Sequence, residues 1–209
     1  MARNLSLGRG IRIGKLAVLR GASEFMAGIL RLQGVRIGIA PWILGWPRIR
    51  MARGGGIHLG NRVLLFSAPF ANPLLPEGKT SLHAQISGAS IELGDAVGIS
   101  SSTLVARKLI RIGARTIVGP GCLIVDNDFH TLDHRVRMSP LDKPAVAPVE
   151  IGADCFIGTR SIILKGVTIG DRSVIGAGSV VTKSVPADSV AAGNPAKVIK
   201  KLEEEKIKS

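Results

Sequence analysis

An aliphatic residue recurs every six positions over much of this chain, and few folds tolerate that spacing. From Ile151 the beat runs through Ile157, Ile163, Ile169, Ile175 and Val181 without a slip, and glycine follows it at Gly152, Gly158, Gly170 and Gly176. Leu93, Ile99 and Val105 carry the same spacing earlier, and after a slip of one residue so do Ile112, Val118 and Ile124. A helix repeats near 3.6 residues and a strand every 2. A sustained six therefore belongs to a coil of short straight segments joined by corners, a parallel β-helix. Two residues before each beat stand Val149, Cys155, Ser161, Val167, Ser173 and Ser179, all small or β-branched. Side chains two apart on a strand share a face, so each unit sends one large and one small side chain into a narrow prism. The glycine after the beat is expected to supply a corner angle that a Cβ opposes. Three faces of about six residues make one coil, which places Ile151 and Ile169 in one stack.

Composition agrees with a thin core. The 209 residues are 45% apolar, enough for one domain with a small appendage, yet aromatics are only 3% and tyrosine is absent. Cys122 and Cys155 both fall in the small inward slot and read as core residues. Without a cysteine framework or a secretory leader, a cytoplasmic location is expected. No run reaches the roughly eighteen apolar residues that span a bilayer. The net charge of +13 is uneven: before Gly54 the basic residues, from Arg3 to Arg53, face a single acid, Glu24. That excess suits a solvated face with one helix packed on the prism end, or a segment lying on an anionic membrane at its inner face. Nucleic acid is not expected as a partner, because neither zinc-finger spacing nor an aromatic-rich strand motif is present.

Three regions follow. Residues 1–56 read as an irregular basic N-terminal region with a helix from about Lys15 to Gln33. Residues 57–193 read as the β-helix, and 194–209 as a C-terminal helix capped by Asn194 with Pro195 in its first turn. An Ile-x-Ile-Gly phrase opens the coils at Ile110–Gly113 and Val149–Gly152, with variants at Ile91–Gly94 and Ile57–Gly60 and weaker echoes at Val35–Gly38 and Ile11–Gly14. Prolines mark two interruptions, over 66–85 and from His130 to Pro148. Long loops inside a compact repeat tend to carry function.

The second interruption opens with Asp126-Asn127-Asp128-Phe129-His130. A histidine where the chain leaves a rigid coil is a natural base at neutral pH. Asp126 and Asp128 are near enough in sequence to orient it. This segment, together with Phe156–Thr159, Ile163–Gly170, Ile175–Val181 and Ala192–Lys197, resembles the hexapeptide-repeat acyltransferases, specifically the acetyl-CoA-dependent O-acetyltransferases of sugars and surface polysaccharides. The likeness covers about residues 91–200 well and the N-terminal part loosely.

The resemblance implies an all-β, left-handed parallel β-helix, although ordinary parallel crossovers are right-handed in about 98% of cases. It also implies a homotrimer with each active site between neighbouring prisms. His130 would take the proton of an acceptor hydroxyl that attacks the acetyl thioester directly, while backbone N–H groups stabilise the oxyanion. By the same resemblance, acetyl-CoA would lie along the backbone of Thr159 and Ala177. Thr182 and Lys183 would meet its nucleotide end, and Lys197 and Lys200 its phosphates. The family often places arginine at the last two positions, and lysine lacks its bidentate fork. Ser100, Ser101 and Asn127 are candidates for contact with a sugar or polysaccharide-precursor acceptor. Ala177 also reads as a tight corner, the serines as turn residues, and Lys197 and Lys200 as a solvated face. Two rivals share the fold: a zinc enzyme of the γ-carbonic-anhydrase type, drawing on His130, His134 and either His83 or His58, and a non-catalytic scaffold. No metal is expected on the first reading.

Overall fold

The six-residue beat is realised as short parallel strands that return to the same face once per coil. The structure, a computed structural model, describes residues 3–68, 71–74 and 78–202. The first face stacks β1 (Arg36–Ile37), β4 (Gly56–Leu59), β7 (Ser90–Leu93), β10 (Leu109–Ile112), β13 (Val149–Ile151) and β16 (Thr168–Ile169). The second stacks β2 (Trp42–Gly45), β5 (Leu64–Ser67), β8 (Gly98–Ser100), β11 (Ile117–Val118), β14 (Phe156–Ile157), β17 (Val174–Ile175) and β19 (Ser189–Gly193), with β20 (Ala196–Lys201) beyond. The third stacks β3 (Arg48–Met51), β6 (Ser81–Ala84), β9 (Thr103–Ala106), β12 (Leu123–Val125), β15 (Ile162–Ile163) and β18 (Val180–Val181). The coils wind left-handed. Ile151 pairs with Ile169 in register, as the spacing requires.

The inward positions form one continuous core. Ile157, Ile163 and Ile175 are fully buried, and so are Ser161, Ser173 and Ser179 in the small slot. These hydroxyls are not orphaned: Ser161 and Ser179 donate to the carbonyls of Gly158 and Gly176 at 2.8 and 2.6 Å. The Cys122 and Cys155 thiols, also buried, donate to the Gly158 and Gly170 carbonyls, and burial pushes both thiols up in pKa. One beat position is misplaced by the sequence. Leu104, not Val105, is the inward residue and pairs with Ile124. The slip lies earlier, in the corner between Ile99 and Leu104, which is one residue shorter than its neighbours and turns at Ser101.

The glycines after the beat serve a different purpose from the one expected. The left-handed backbone sits two residues later, at Arg62, Ala96, Arg115, Asp154 and Arg172. The glycine itself is where adjacent coils touch. A Cβ on Gly113 would lie 2.5 Å from the Ala153 nitrogen, and one on Gly152 2.6 Å from the Asp171 nitrogen. The left-handed positions are held by ion pairs up the corner, Arg115 with Asp154 and Arg172 with Asp188, both at 2.6 Å.

Both ends of the prism differ from expectation. The first coil already occupies all three faces with β1 to β3, so the β-helix begins near residue 36 rather than 57. The preceding helix, α1 (Arg3–Leu32), starts well before Lys15 and absorbs the Ile11–Gly14 echo. Ser23, Met26, Ala27 and Leu30 are its buried stripe, at helical spacing, and close the open end of the core. Ser23 Oγ donates to the Pro41 carbonyl and accepts from the Ile43 N–H. At the other end, Ala196–Lys201 is a strand antiparallel to β19, reached through a cis Asn194–Pro195 bond, so Asn194 is not a helix cap. The rest of the expected C-terminal helix, 203–209, lies outside the described residues. The first interruption is shorter than 66–85, because β5 and β6 occupy its two ends. Among the described residues, no helix is long and apolar enough to cross a membrane.

If coil contact rather than backbone angle demands the glycine, Gly113→Ala should destabilise the fold by about 1–3 kcal/mol in urea titrations. Gly98→Ala, whose Cβ would meet nothing within 4 Å, should change stability by no more than about 0.5 kcal/mol. Equal effects would refute this account.

Candidate active site

Where β12 ends, the chain leaves the third face and returns at β13, and Asp126 fastens the root of that excursion. Its carboxylate is fully buried and accepts hydrogen bonds from the N–H groups of Arg107, Lys108 and Leu109 at 2.8, 2.6 and 2.9 Å. The two ends of the loop are stitched together: Ala147 N–H donates to the Asp126 carbonyl, and Asp128 N–H to the Ala145 carbonyl. Asn127 is buried, donating to Asp126 Oδ1 and accepting from Phe129 N–H. Asp128 forms an ion pair with Lys165 of the next coil at 2.7 Å. Val105 and Val125, which alternate with the inward Leu104 and Ile124, are buried at the root of this loop.

Neither Asp126 nor Asp128 orients His130, because both are committed elsewhere. The partner is Asp142, whose Oδ2 lies 2.7 Å from His130 Nδ1. The same carboxylate accepts from the N–H groups of Thr131 at 2.6 Å and Met138 at 2.7 Å. The hydrogen bond from His130 first, and then those two amides, hold the Asp142 carboxyl down to about 2. An ionised carboxylate can only accept, so Nδ1 donates the shared proton, and in the neutral imidazole Nε2 is the nitrogen that can accept. The imidazole is half-exposed, with 54% of its side-chain surface accessible. It opens on a hollow of about 320 Å³ shared with His83, Gln85, Ile86, Arg107 and Phe129. An imidazole anchored through one nitrogen and open at the other can accept a proton from a hydroxyl brought to it. Asp142 stands twelve positions after His130 in a proline-flanked stretch. No local spacing signals that pairing.

The other sequence candidates divide between two edges of the third face. Thr159 and Ala177 stand at the corner between the second and third faces, one coil apart; Gly178 N–H donates to the Thr159 carbonyl at 2.8 Å. Ser100 and Ser101 lie at the same corner on an earlier coil. Ser101 is buried, with its hydroxyl directed to the Gly78 carbonyl, so its side chain ties down a loop rather than facing a ligand. Asn127, enclosed at the loop root, is likewise internal. Thr182 and Lys183, both exposed, leave β18 at the opposite edge, where His130's loop leaves β12. Lys197 and Lys200 are exposed on β20 opposite Ala192 and Val190. His58 lies on the first face, away from His83 and His130 on the third. Among the described residues, no three His, Cys, Asp or Glu side chains are grouped closely enough to hold a metal.

Residues 148–183 match the family model described as the hexapeptide repeat of succinyl-transferase. The chain is a hexapeptide-repeat left-handed β-helix. The chain is 38% identical over 100 residues to galactoside O-acetyltransferase of Escherichia coli (strain K12), covering 48% of each chain. It is 42% identical over 97 residues to a Schizosaccharomyces pombe protein provisionally named an acetyltransferase, C18B11.09c, covering 46% of this chain and 45% of that one. The matches thus span just under half of these curated relatives. Among solved structures, it is similar to the hexapeptide-repeat acetyltransferase VCA0836 of Vibrio cholerae complexed with acetyl coenzyme A. That likeness has 29% identity, a TM-score of 0.57 and 72% coverage of both chains.

The Asp142 contacts predict a carboxyl that titrates near 2 by carbon-13 NMR. Because its folded value is depressed, its stabilisation is present above the ordinary carboxylate range near 4 and is lost as pH falls toward 2. An Asp142 titration near 4 would show that the pair with His130 is not formed.

Proposed function

We propose that this chain is an acetyl-CoA-dependent O-acetyltransferase that acetylates a hydroxyl of a sugar in a polysaccharide, capsule or lipopolysaccharide precursor, with His130 as general base. The observation that carries the reading is the His130–Asp142 pair. It anchors the ring through Nδ1, so that Nε2 of the neutral imidazole is the nitrogen left to act as base beside a solvent-open hollow at the rim of the prism. A sugar hydroxyl is a poor nucleophile near neutral pH, and a positioned base accelerates its attack by about 10²–10⁴-fold. Asp142 holds the imidazole in one tautomer and stabilises its protonated form. Relatives named as acetyltransferases, including one for galactosides, support the donor class and the sugar.

The residues suit an acyl-CoA donor. Along the corner of Thr159 and Ala177 the coils meet at Gly119 and Gly158, where a Cβ would run into the backbone of the next coil. Ala177 is exposed there. A long amide-bearing arm can pair with such backbone, with Thr159 and Ala177 holding it and Thr182, Lys183, Lys197 and Lys200 offering hydroxyl and positive charge to its phosphates. Acetyl-CoA supplies the activated acetyl group; the chain supplies position and the proton acceptor.

Assembly completes the site. The loop carrying His130 exposes Leu132, Met138 and Leu141, and the second face exposes Ile117 and Phe156, which pair in register. Two different apolar surfaces on one chain suit a head-to-tail ring. A trimer would bring the donor corner of one prism to the His130 edge of the next, which one chain alone keeps a face apart. In such a trimer His130→Ala should lower acetyl transfer from labelled acetyl-CoA to a sugar acceptor by about 10²–10⁴-fold, with sedimentation and circular dichroism unchanged. Asp142→Asn should reduce kcat up to about 10²-fold through misorientation. Full transfer by the folded His130→Ala variant would remove His130 from the reaction.

A further inference from the structure

A second hollow, larger than the one at His130, lies elsewhere on the third face. It measures about 530 Å³ and lies between the end of α1 and the start of the third face, lined among others by Trp46, Arg48, Arg50, Ser81 and His83. Arg48 and Arg50 alternate with the inward-leaning Ile49, so both guanidinium groups stand on the outer side of β3. Three arginines of the prism are matched with acids, Arg111 with Glu92, Arg115 with Asp154 and Arg172 with Asp188. No carboxylate of the described residues forms an ion pair with Arg48 or Arg50. Trp46, 54% exposed, presents a large ring beside them, where an apolar residue would ordinarily be covered.

His83 lines both hollows. It pairs in register with Arg50, one strand spacing away, about 5 Å, and it lies across the smaller hollow from His130. A continuous path therefore runs along the outside of the third face from two unneutralised guanidiniums, past His83, to the imidazole of His130. Burial, and then the field of Arg50, lower the pKa of His83, which keeps it neutral and able to bond a sugar hydroxyl between the two sites.

We infer that the hollow of Trp46, Arg48 and Arg50 binds the phosphate-bearing end of the acceptor, so that the acceptor is a sugar carried on a phosphate or diphosphate ester and not a free neutral sugar. This rests on the acetyltransferase reading and names the acceptor class for it. Arginine forks match phosphate oxygens in geometry and charge. The ring of Trp46 then packs against whatever follows the phosphates, a nucleoside or a lipid chain.

Calorimetric titration of the whole protein tests this with uridine diphosphate and farnesyl diphosphate, against uridine and farnesol as neutral counterparts and inorganic pyrophosphate as competitor. At least one diphosphate should bind saturably, at least about tenfold more tightly than its neutral counterpart, and pyrophosphate should compete. Which of the two binds identifies a nucleotide-linked or a lipid-linked acceptor. In the double variant Arg48→Gln/Arg50→Gln, that binding should weaken by at least about tenfold, with acetyl-CoA affinity as the check on folding. The inference is overturned if neither diphosphate binds the unaltered protein, or if the double variant binds them equally well. Arginine-dependent diphosphate binding without any binding of acetyl-CoA would instead sink the acetyltransferase reading and leave the anion site standing.

Discussion

Coil must rest directly on coil. Parallel ladders on three faces set a rise of about 4.8 Å per turn, and at the corners this brings one backbone onto the next with no room for a Cβ at Gly113, Gly152 or Gly158. That closeness aligns the inward aliphatic residues into a single column and leaves only small side chains beside them. It also makes the buried serines and cysteines satisfiable, since each finds a corner carbonyl within reach. The stack is consequently rigid in cross-section, and segments that leave it add side chains beyond its faces.

Two excursions do so, and each is anchored by a polar side chain at its root. Asp126 gathers three backbone amides of the preceding coil and turns the chain outward. Ser101 does the equivalent for the earlier loop through the Gly78 carbonyl. The loop carrying His130 then closes on itself, and Asp142 gathers the imidazole and two amides in the same manner. A buried carboxylate fixes the loop to the scaffold, and a second, more exposed one fixes the base within the loop. Asp126 and Asp128, just before the histidine in sequence, thus hold the loop root, while the more distant Asp142 holds the imidazole.

The stack was largely legible because a six-residue period assigns inward positions without knowledge of contacts. Cys122, Cys155 and Ser161 could be placed in the core on that ground, and they are there. Val105 was misplaced because the corner between Ile99 and Leu104 is one residue short, and no glycine or proline marks it in the sequence. The glycines were correctly marked as corner residues, but their reason was hidden: clash with the neighbouring coil is a relation between residues sixteen or more apart. The C-terminal segment misled because Asn-Pro serves a hairpin turn as readily as a helix start, and only pairing with β19 distinguishes them.

What the sequence alone determined, then, is the pitch, the three faces and the histidine at the rim, since each follows from local periodicity and the point where it breaks. Tertiary structure decided which carboxylate holds that histidine, which serines are enclosed, and that one histidine, His83, lines both an arginine-lined hollow and the hollow at His130. Those relations depend on side chains meeting across coils and across a folded loop. Their separations in the chain vary with every insertion, so spacing cannot encode them.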